Sequence, residues 1–382
     1  MSALALPERS ALAEAVPSGT AAMLQAVETY AKQVIAPLAT RIDQEGHYPE
    51  ALMADLGGMG ALRAHLQAPH GAGDYVAAIQ AMAAVSRVCG ATGFLMWCHD
   101  VCGLYMEQSG NVSLTGQRLA VHAAGGSFGG TALSNPMKAF AGIEKLALVA
   151  KPLGGGRYVL NGTLPWVSHL GPSHCFGAIA QVEGEDRELM VLVDCDATGV
   201  SLRPCPSFSA MEGTGTYGLR FQEMPVSPDR VITEQVRPWI QQVRPAFVLL
   251  QCGMAVGITQ GAIDSMREVE GRLGHVNEYL DDRPEDLQGE LDALTDDALR
   301  LALTPFDTSL AHWLAVLKVR AAGSELCLRA TQSALLHQGA RGYLLSSPVQ
   351  RRIREAHFVA IVTPALKHLR KEIARVGSAL AA

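Results

Sequence analysis

The periodicity of this chain changes twice, and the order of those changes constrains its fold more than any other feature. From about Thr20 to His122, apolar residues recur at helical spacing, as in Ala22, Val27, Tyr30, Val34 and Leu38. Two double glycines in Gly125-Gly126-Ser127-Phe128-Gly129-Gly130 break that pattern. Short strand-like runs follow: Lys145 to Ala150, Arg157 to Leu160, Cys175 to Val182, Glu188 to Asp194 and Tyr217 to Glu223. Pro, Asp and Gly punctuate every gap between them. Helical spacing returns after Ser227-Pro228-Asp229 and persists to the end. The pattern predicts an α+β chain: a helical domain over 1–124, a β-domain over 125–232 and a helical bundle over 233–382.

Within the helical parts, Pro37 is expected to end or kink its helix, because it lacks an N–H and crowds the preceding turn. Tyr48-Pro49-Glu50 reads as a helix start and Gly57-Gly58-Met59-Gly60 as its stop. Tyr75 to Met106 reads as one long helix or a pair broken near Gly90 and Gly93. Trp239 to Glu270, His312 to Leu336 and Val349 to Val376 read as long helices. The acidic stretch Glu278 to Asp297 reads as a loop or a solvent-facing helix.

Composition removes several classes of function. A net charge of −6 does not suit a bulk nucleic-acid binder. No apolar run reaches the ~18 residues expected of a membrane span, and Met1 to Pro7 lacks the features of a signal peptide. Eight cysteines without paired spacing imply reduced thiols and a cytoplasmic setting. Cys98 and Cys102 lie one helical turn apart, but no second ligand pair follows, so a buried core pair is expected and no metal. Gly154-Gly155-Gly156 precedes a strand rather than a helix, which argues for a turn and against a dinucleotide-binding loop.

Two segments carry the chemistry. Thr131-Ala132-Leu133-Ser134-Asn135-Pro136 and Asn161-Gly162-Thr163-Leu164-Pro165-Trp166-Val167-Ser168 both read as strands. Small hydroxyls at Ser134 and Ser168 can hydrogen-bond the polar edge of an isoalloxazine ring, and Trp166 can cover a ring face. These segments resemble the flavin-binding strands of the acyl-CoA dehydrogenase family, usually Thr/Ser-Glu-Pro and Asn-Gly-x-Lys-x-Trp-Ile-Thr/Ser. The resemblance extends through Tyr48-Pro49-Glu50, Asp194 to Val200, Phe221 to Val226, Gly339 to Tyr343 and Arg354-Glu355-Ala356. It implies an N-terminal helical domain, a central β-barrel-like domain and a C-terminal helical bundle.

The resemblance further implies a flavoprotein binding FAD, with FMN as an alternative, through Leu133, Ser134, Trp166 and Ser168. Arg244 would contact the pantetheine or phosphate part of a CoA thioester, or else form a surface salt bridge. A homodimer or homotetramer is implied, with an electron-transfer or reductase partner. The sequence departs from the family at its catalytic Glu, which would fall on Thr363 or, in branched-chain relatives, on Val243. The Arg-x-x-x-Phe-Gly motif is replaced by Gly271 to Asp282, and an expected Gln is Leu336.

Three functions stay open at this stage. A flavin oxidoreductase of the acyl-CoA dehydrogenase type would need a relocated base, for which His99, Glu355 and His357 are candidates. His99 can equally be a satisfied core histidine. A two-component monooxygenase would use reduced flavin and oxygen and need no α-proton base; His357 and His368 lie near the lost Glu in sequence. A degenerate, non-catalytic scaffold is the third.

Overall fold

The computed structural model describes residues 19–381. The N-terminal leader reading of Met1 to Pro7 lies outside the described residues. The N-terminal helices are α1 (Thr20–Tyr30), α2 (Ala36–Gln44), α3 (Glu50–Gly58), α4 (Tyr75–Ser86), α5 (Gly90–Glu107), α6 (Val112–Thr115) and α7 (Gln117–Ala123). Pro37 does not end its helix. A π-helical segment, Ala31–Ile35, takes up the irregularity, and α2 runs on past the proline. The Tyr75 to Met106 run is a pair of helices that breaks before Gly90. Bulk there is excluded, since a Cβ on Gly93 would lie 1.9 Å from Ser86 Oγ.

The central strands are β1 (Gly129–Thr131), β2 (Leu148–Gly154), β3 (Arg157–Val167), β4 (Cys175–Val182), β5 (Glu188–Asp194), β6 (Val200–Pro204), β7 (Tyr217–Val226) and β8 (Val231–Thr233). They form one sheet in the order β6-β7-β3-β2-β4-β5-β8, with β1 parallel to the start of β4. The short strands β1, β6 and β8 were not expected from sequence. Strands β4 and β5 are buried on both faces, which explains their unbroken apolar runs. Phe176, Ala178, Val191 and Val193 join the sheet's own core. Cys175, Ile179, Met190 and Leu192 alternate with them and join the helical core.

Thr131 to Pro136 is not a strand as expected. The strand stops at Thr131, and α8 (Ser134–Phe140) begins at Ser134. Asn135 ties this helix to the next segment, accepting from Ala147 N at 2.9 Å and donating to Lys145 O at 2.9 Å.

The C-terminal helices are α9 (Val236–Leu250), α10 (Cys252–Asn277), α11 (Pro284–Ala302), α12 (Leu310–Gln338), α13 (Pro348–Ile361) and α14 (Leu366–Ala381). Two expected long helices are therefore split, at Gln251 and across 362–365. The acidic stretch is α11, amphipathic, with Leu287 and Leu291 buried. The segment Val236–Asn277 has a mean hydropathy of 1.6 over an 18-residue window, which exceeds the sequence expectation. That window is 89% buried against the protein itself.

Candidate functional site

A defect in the β3–β7 ladder presents Trp166. Leu164 pairs with Leu219 and Val167 with Tyr217, so two residues of β3 oppose one of β7. Pro165 has no N–H to give to the ladder, and the extra residue forms a bulge there. Trp166 sits in it at φ 54°, a left-handed conformation that side chains rarely adopt. The bulge turns the indole outward, where it is 64% exposed and meets Phe208 edge-on at 6.5 Å.

Beyond Trp166 the chain runs along Thr214–Gly215, with His169 N donating to Thr214 O at 2.9 Å. This sets Ser168 Oγ 2.7 Å from Thr216 Oγ1, which is 2.8 Å from Thr214 Oγ1. Thr214 Oγ1 donates to Met211 O at 2.6 Å. A hydroxyl has one proton. Thr214 spends its proton on the carbonyl, so Thr216 donates to Thr214 and Ser168 donates to Thr216. Ser168 Oγ is left with acceptor capacity only.

An open cleft of about 220 Å³ adjoins these groups, lined by Tyr48, Phe208, Glu212, Thr216 and Tyr217 among others. Phe208 links it to Trp166, and Thr216 links it to Ser168. Glu212 is a carboxylate at this cleft that the sequence reading missed. Its signal was present as Glu212-Gly213-Thr214, a carboxylate followed by small residues in the segment before β7.

Ser134 lies at the start of α8, and its Oγ is 2.9 Å from Thr363 Oγ1 on an exposed surface. The two hydroxyls therefore meet where the resemblance places the catalytic Glu. Thr363 O accepts from Gln251 Nε2 at 2.9 Å. Gln251 Oε1 in turn accepts from the fully buried Arg320 at 2.9 Å, and Arg320 also donates to Val359 O at 2.7 Å. Leu133 is a buried core residue behind Ser134. β1 approaches the Ser168 segment closely, since a Cβ on Gly130 would lie 2.3 Å from Ser168 O.

The other candidates scatter. His99 is fully buried and stacks on His122 with ring centroids 3.6 Å apart. Burial, then the neighbouring His122, holds it neutral, well below the ordinary histidine range. It lies in the core and does not line the cleft, and its Nδ1 has no partner among the described residues. Glu355 is buried, ion-paired with Arg351 at 3.2 Å and accepting from Gly90 N at 3.1 Å. Burial raises its pKa. His357 is exposed and bonds its own helix through Ile353 O at 2.7 Å. His368 and Val243 are buried, and Leu336 is exposed. Arg244 lies over the Trp313 ring at 4.4 Å, and among the described residues it forms no salt bridge, one of its two expected roles. Its Nε has no partner among the described residues, and burial depresses its pKa.

The exposed indole, the acceptor-only Ser168 and the exposed Ser134 hydroxyl fit a flavin ring, with one flat apolar face and a polar rim to satisfy. FAD or FMN would be held by Trp166, Ser134 and Ser168.

The family "Acyl-CoA dehydrogenase, N-terminal domain" matches residues 19–125, and "Acyl-CoA dehydrogenase, C-terminal domain" matches residues 287–363. The human mitochondrial short-chain specific acyl-CoA dehydrogenase is 27% identical over 369 residues, covering 89% of this chain and 85% of that protein. A probable acyl-CoA dehydrogenase of Bacillus subtilis, YngJ, is 23% identical, covering 88% and 91%. Among solved structures, butyryl-CoA dehydrogenase from Megasphaera elsdenii superimposes with a TM-score of 0.84 at 17% identity, covering 95% and 98%. Dibenzothiophene monooxygenase from Paenibacillus sp. A11-2 gives 0.76 at 16% identity, covering 92% and 96%. Both share the fold. On the family matches, the relatives and the helix–sheet–helix architecture together, the chain belongs to the acyl-CoA dehydrogenase superfamily.

Proposed function

We propose that the chain is a flavin-dependent oxidoreductase that works with reduced flavin and oxygen on a small organic substrate, in the manner of a two-component monooxygenase. The observation that carries this reading is the Ser134–Thr363 hydroxyl pair. Neither member can remove an α-proton at neutral pH, and His99 and Glu355 are buried elsewhere. Ser168 supports the same reading. Its oxygen only accepts, so it suits a ring N–H, which reduced flavin carries where the oxidised ring has a bare nitrogen. Reduced flavin bound there would supply the two electrons with which dioxygen gives one atom to the substrate and the other to water. Trp166 would exclude water from one ring face, and Ser168 and Ser134 would hold the rim.

A second reading, acyl-CoA dehydrogenation, is favoured by the curated relatives and by Glu212, a carboxylate at the cleft beside Thr216. Arg244, whose Nε has no partner among the described residues, would then contact the CoA. The deciding experiment adds butyryl-CoA to flavin-loaded protein without oxygen. Unchanged flavin colour, with tighter binding of reduced than oxidised FMN or FAD, supports the first reading. Rapid bleaching that is lost in Glu212→Gln overturns it in favour of the second. Protein that binds neither flavin leaves only a scaffold.

We further infer a homodimer or homotetramer with a cytoplasmic setting and a reductase or electron-transfer partner. Leu336 on α12, Ile361 on α13, and Tyr343, Leu344 and Leu345 in the segment between them are exposed apolar residues close in sequence, suited to a second copy. Sedimentation as a monomer at micromolar concentration would refute the assembly.

A further inference from the structure

Three elements bring Cys102, His122 and Cys175 together beneath the strand that leads to Ser134. Cys102 comes from α5, His122 from α7, and Cys175 opens β4. All three are buried, at 0%, 1% and 4% exposure. The two sulfurs are 3.9 Å apart. One ligand atom from each residue lies within 4.8 Å of the other two. Cys98, the partner suggested by helical spacing, is not part of the group.

The histidine is set up as a ligand. Its Nε2 lies 2.9 Å from His99 O. A carbonyl only accepts, so Nε2 carries the proton and Nδ1 is bare. That Nδ1 is buried with no partner among the described residues. The stacked His99 ring makes the reciprocal contact to His122 O at 3.0 Å, which fixes the imidazole plane. A carbonyl gripping the far nitrogen of a histidine is the usual support around a metal-bound imidazole.

Space and charge agree. Gly129 faces the group, and a Cβ there would lie 2.4 Å from Cys102 Sγ and 2.9 Å from His122 Cε1. Only glycine leaves that volume open. Arg118 pairs with Asp194, the residue opposite Cys175 on β5, and Asp194 also pairs with Arg230 at 2.8 Å. These cations suit a pair of thiolates.

We propose that Cys102, Cys175 and His122 Nδ1 bind a soft thiolate-seeking d10 cation, Zn2+ or Cu+. With metal–sulfur bonds of about 2.3 Å, two thiolates on one ion sit about 3.8–4 Å apart, matching the sulfur spacing. Each thiol gives up its proton to solvent as the cation enters, so two protons leave when the site fills. The site is closed, so the ion enters as the chain folds, and its role is to pin α5, α7 and β4 together behind the proposed flavin face. The proposal departs from the sequence expectation of no metal. Charge separates the two sources: Zn2+ leaves the two-thiolate site neutral, whereas Cu+ leaves one negative charge for the Arg118 and Arg230 side to balance.

The test expresses the whole chain in medium supplemented with zinc or with copper, desalts it with a chelator under native conditions, and measures metal and intact mass. The expected result is one zinc or one copper per chain, retained until denaturation and then released with free thiols. Cys102→Ser and Cys175→Ser should each cut metal content at least tenfold, while Cys98→Ser keeps it. If the serine variants do not fold, cobalt supplied during expression of the unaltered chain should give thiolate-to-cobalt charge-transfer absorption. Absence of stoichiometric zinc, copper and cobalt from the folded chain overturns the proposal. So does an intact mass lower by two hydrogens from a Cys102–Cys175 disulfide, or equal metal loss in Cys98→Ser.

Discussion

Ser134 and Thr363 lie 229 positions apart in sequence and share a hydrogen bond of 2.9 Å. The backbone at 363 is held through its carbonyl by Gln251, not through its side chain. The side chain can therefore change without rebuilding the segment. Thr363→Glu should place a carboxylate beside Ser134 at little structural cost. The expected outcome is at least tenfold faster anaerobic bleaching of bound flavin by butyryl-CoA, followed by stopped-flow absorbance. An unchanged rate would mean that the acyl chain of a thioester does not reach this point.

Ser168→Ala removes the acceptor at the end of the hydroxyl chain. One hydrogen bond of this kind is worth about 1–1.5 kcal/mol, or roughly tenfold in affinity. Fluorescence titration should show weaker binding, and the loss should be larger for reduced than for oxidised flavin. Equal loss in both states would detach Ser168 from the redox preference.

Much of the fold was legible in the sequence, and the reasons are local. β4 and β5 announced themselves because both faces are buried, which forces uninterrupted apolar runs. The break before Gly90 and the start at Glu50 follow from glycine and proline chemistry. The helix at Ser134 was not legible, since its anchor is Asn135 bonding to residues 145 and 147. Nor was the Trp166 bulge, which exists only relative to Tyr217 and Leu219 on another strand. Trp166 and both serines were proposed as site residues from motif alone, and the structure adds their exposure and hydrogen bonding. The fate of His99 was decided by burial first and by His122, 23 positions away, second.

Arg320 is fully buried and donates to Gln251, Ser324 and Val359. Arg320→Leu would strand the Gln251 and Val359 oxygens without donors. Stranding buried acceptors costs about 1–3 kcal/mol each, so a total loss of about 3 kcal/mol is expected. Urea denaturation followed by circular dichroism checks this. A loss below about 1 kcal/mol would show that solvent reaches the gap. Flavin affinity should also fall, because Gln251 positions the carbonyl of Thr363.

Acid should destabilise the protein through its buried histidines. His65 is fully buried, and burial depresses its pKa to about 3 from an ordinary value of 6.5. The unfolded chain takes up a proton below about pH 6.5 that the folded chain refuses until about pH 3. Stability is therefore complete above that window and falls as pH drops through it, by up to about 1.4 kcal/mol per pH unit for one such group. His169, His174 and His368 are depressed in the same direction by burial. Urea midpoints measured from neutral pH downward should fall, and His65→Leu should flatten the slope. A midpoint indifferent to pH across the window would place these rings in contact with water.

Trp166 stands on a left-handed backbone with most of its indole in water. A non-glycine residue held there costs about 1–3 kcal/mol, and the wet ring gains nothing to offset it. A flat guest laid against the indole would silence an adhesive spot on the surface. Occupancy, rather than catalysis alone, would then govern how readily the chain clings to its neighbours in a crowded solution.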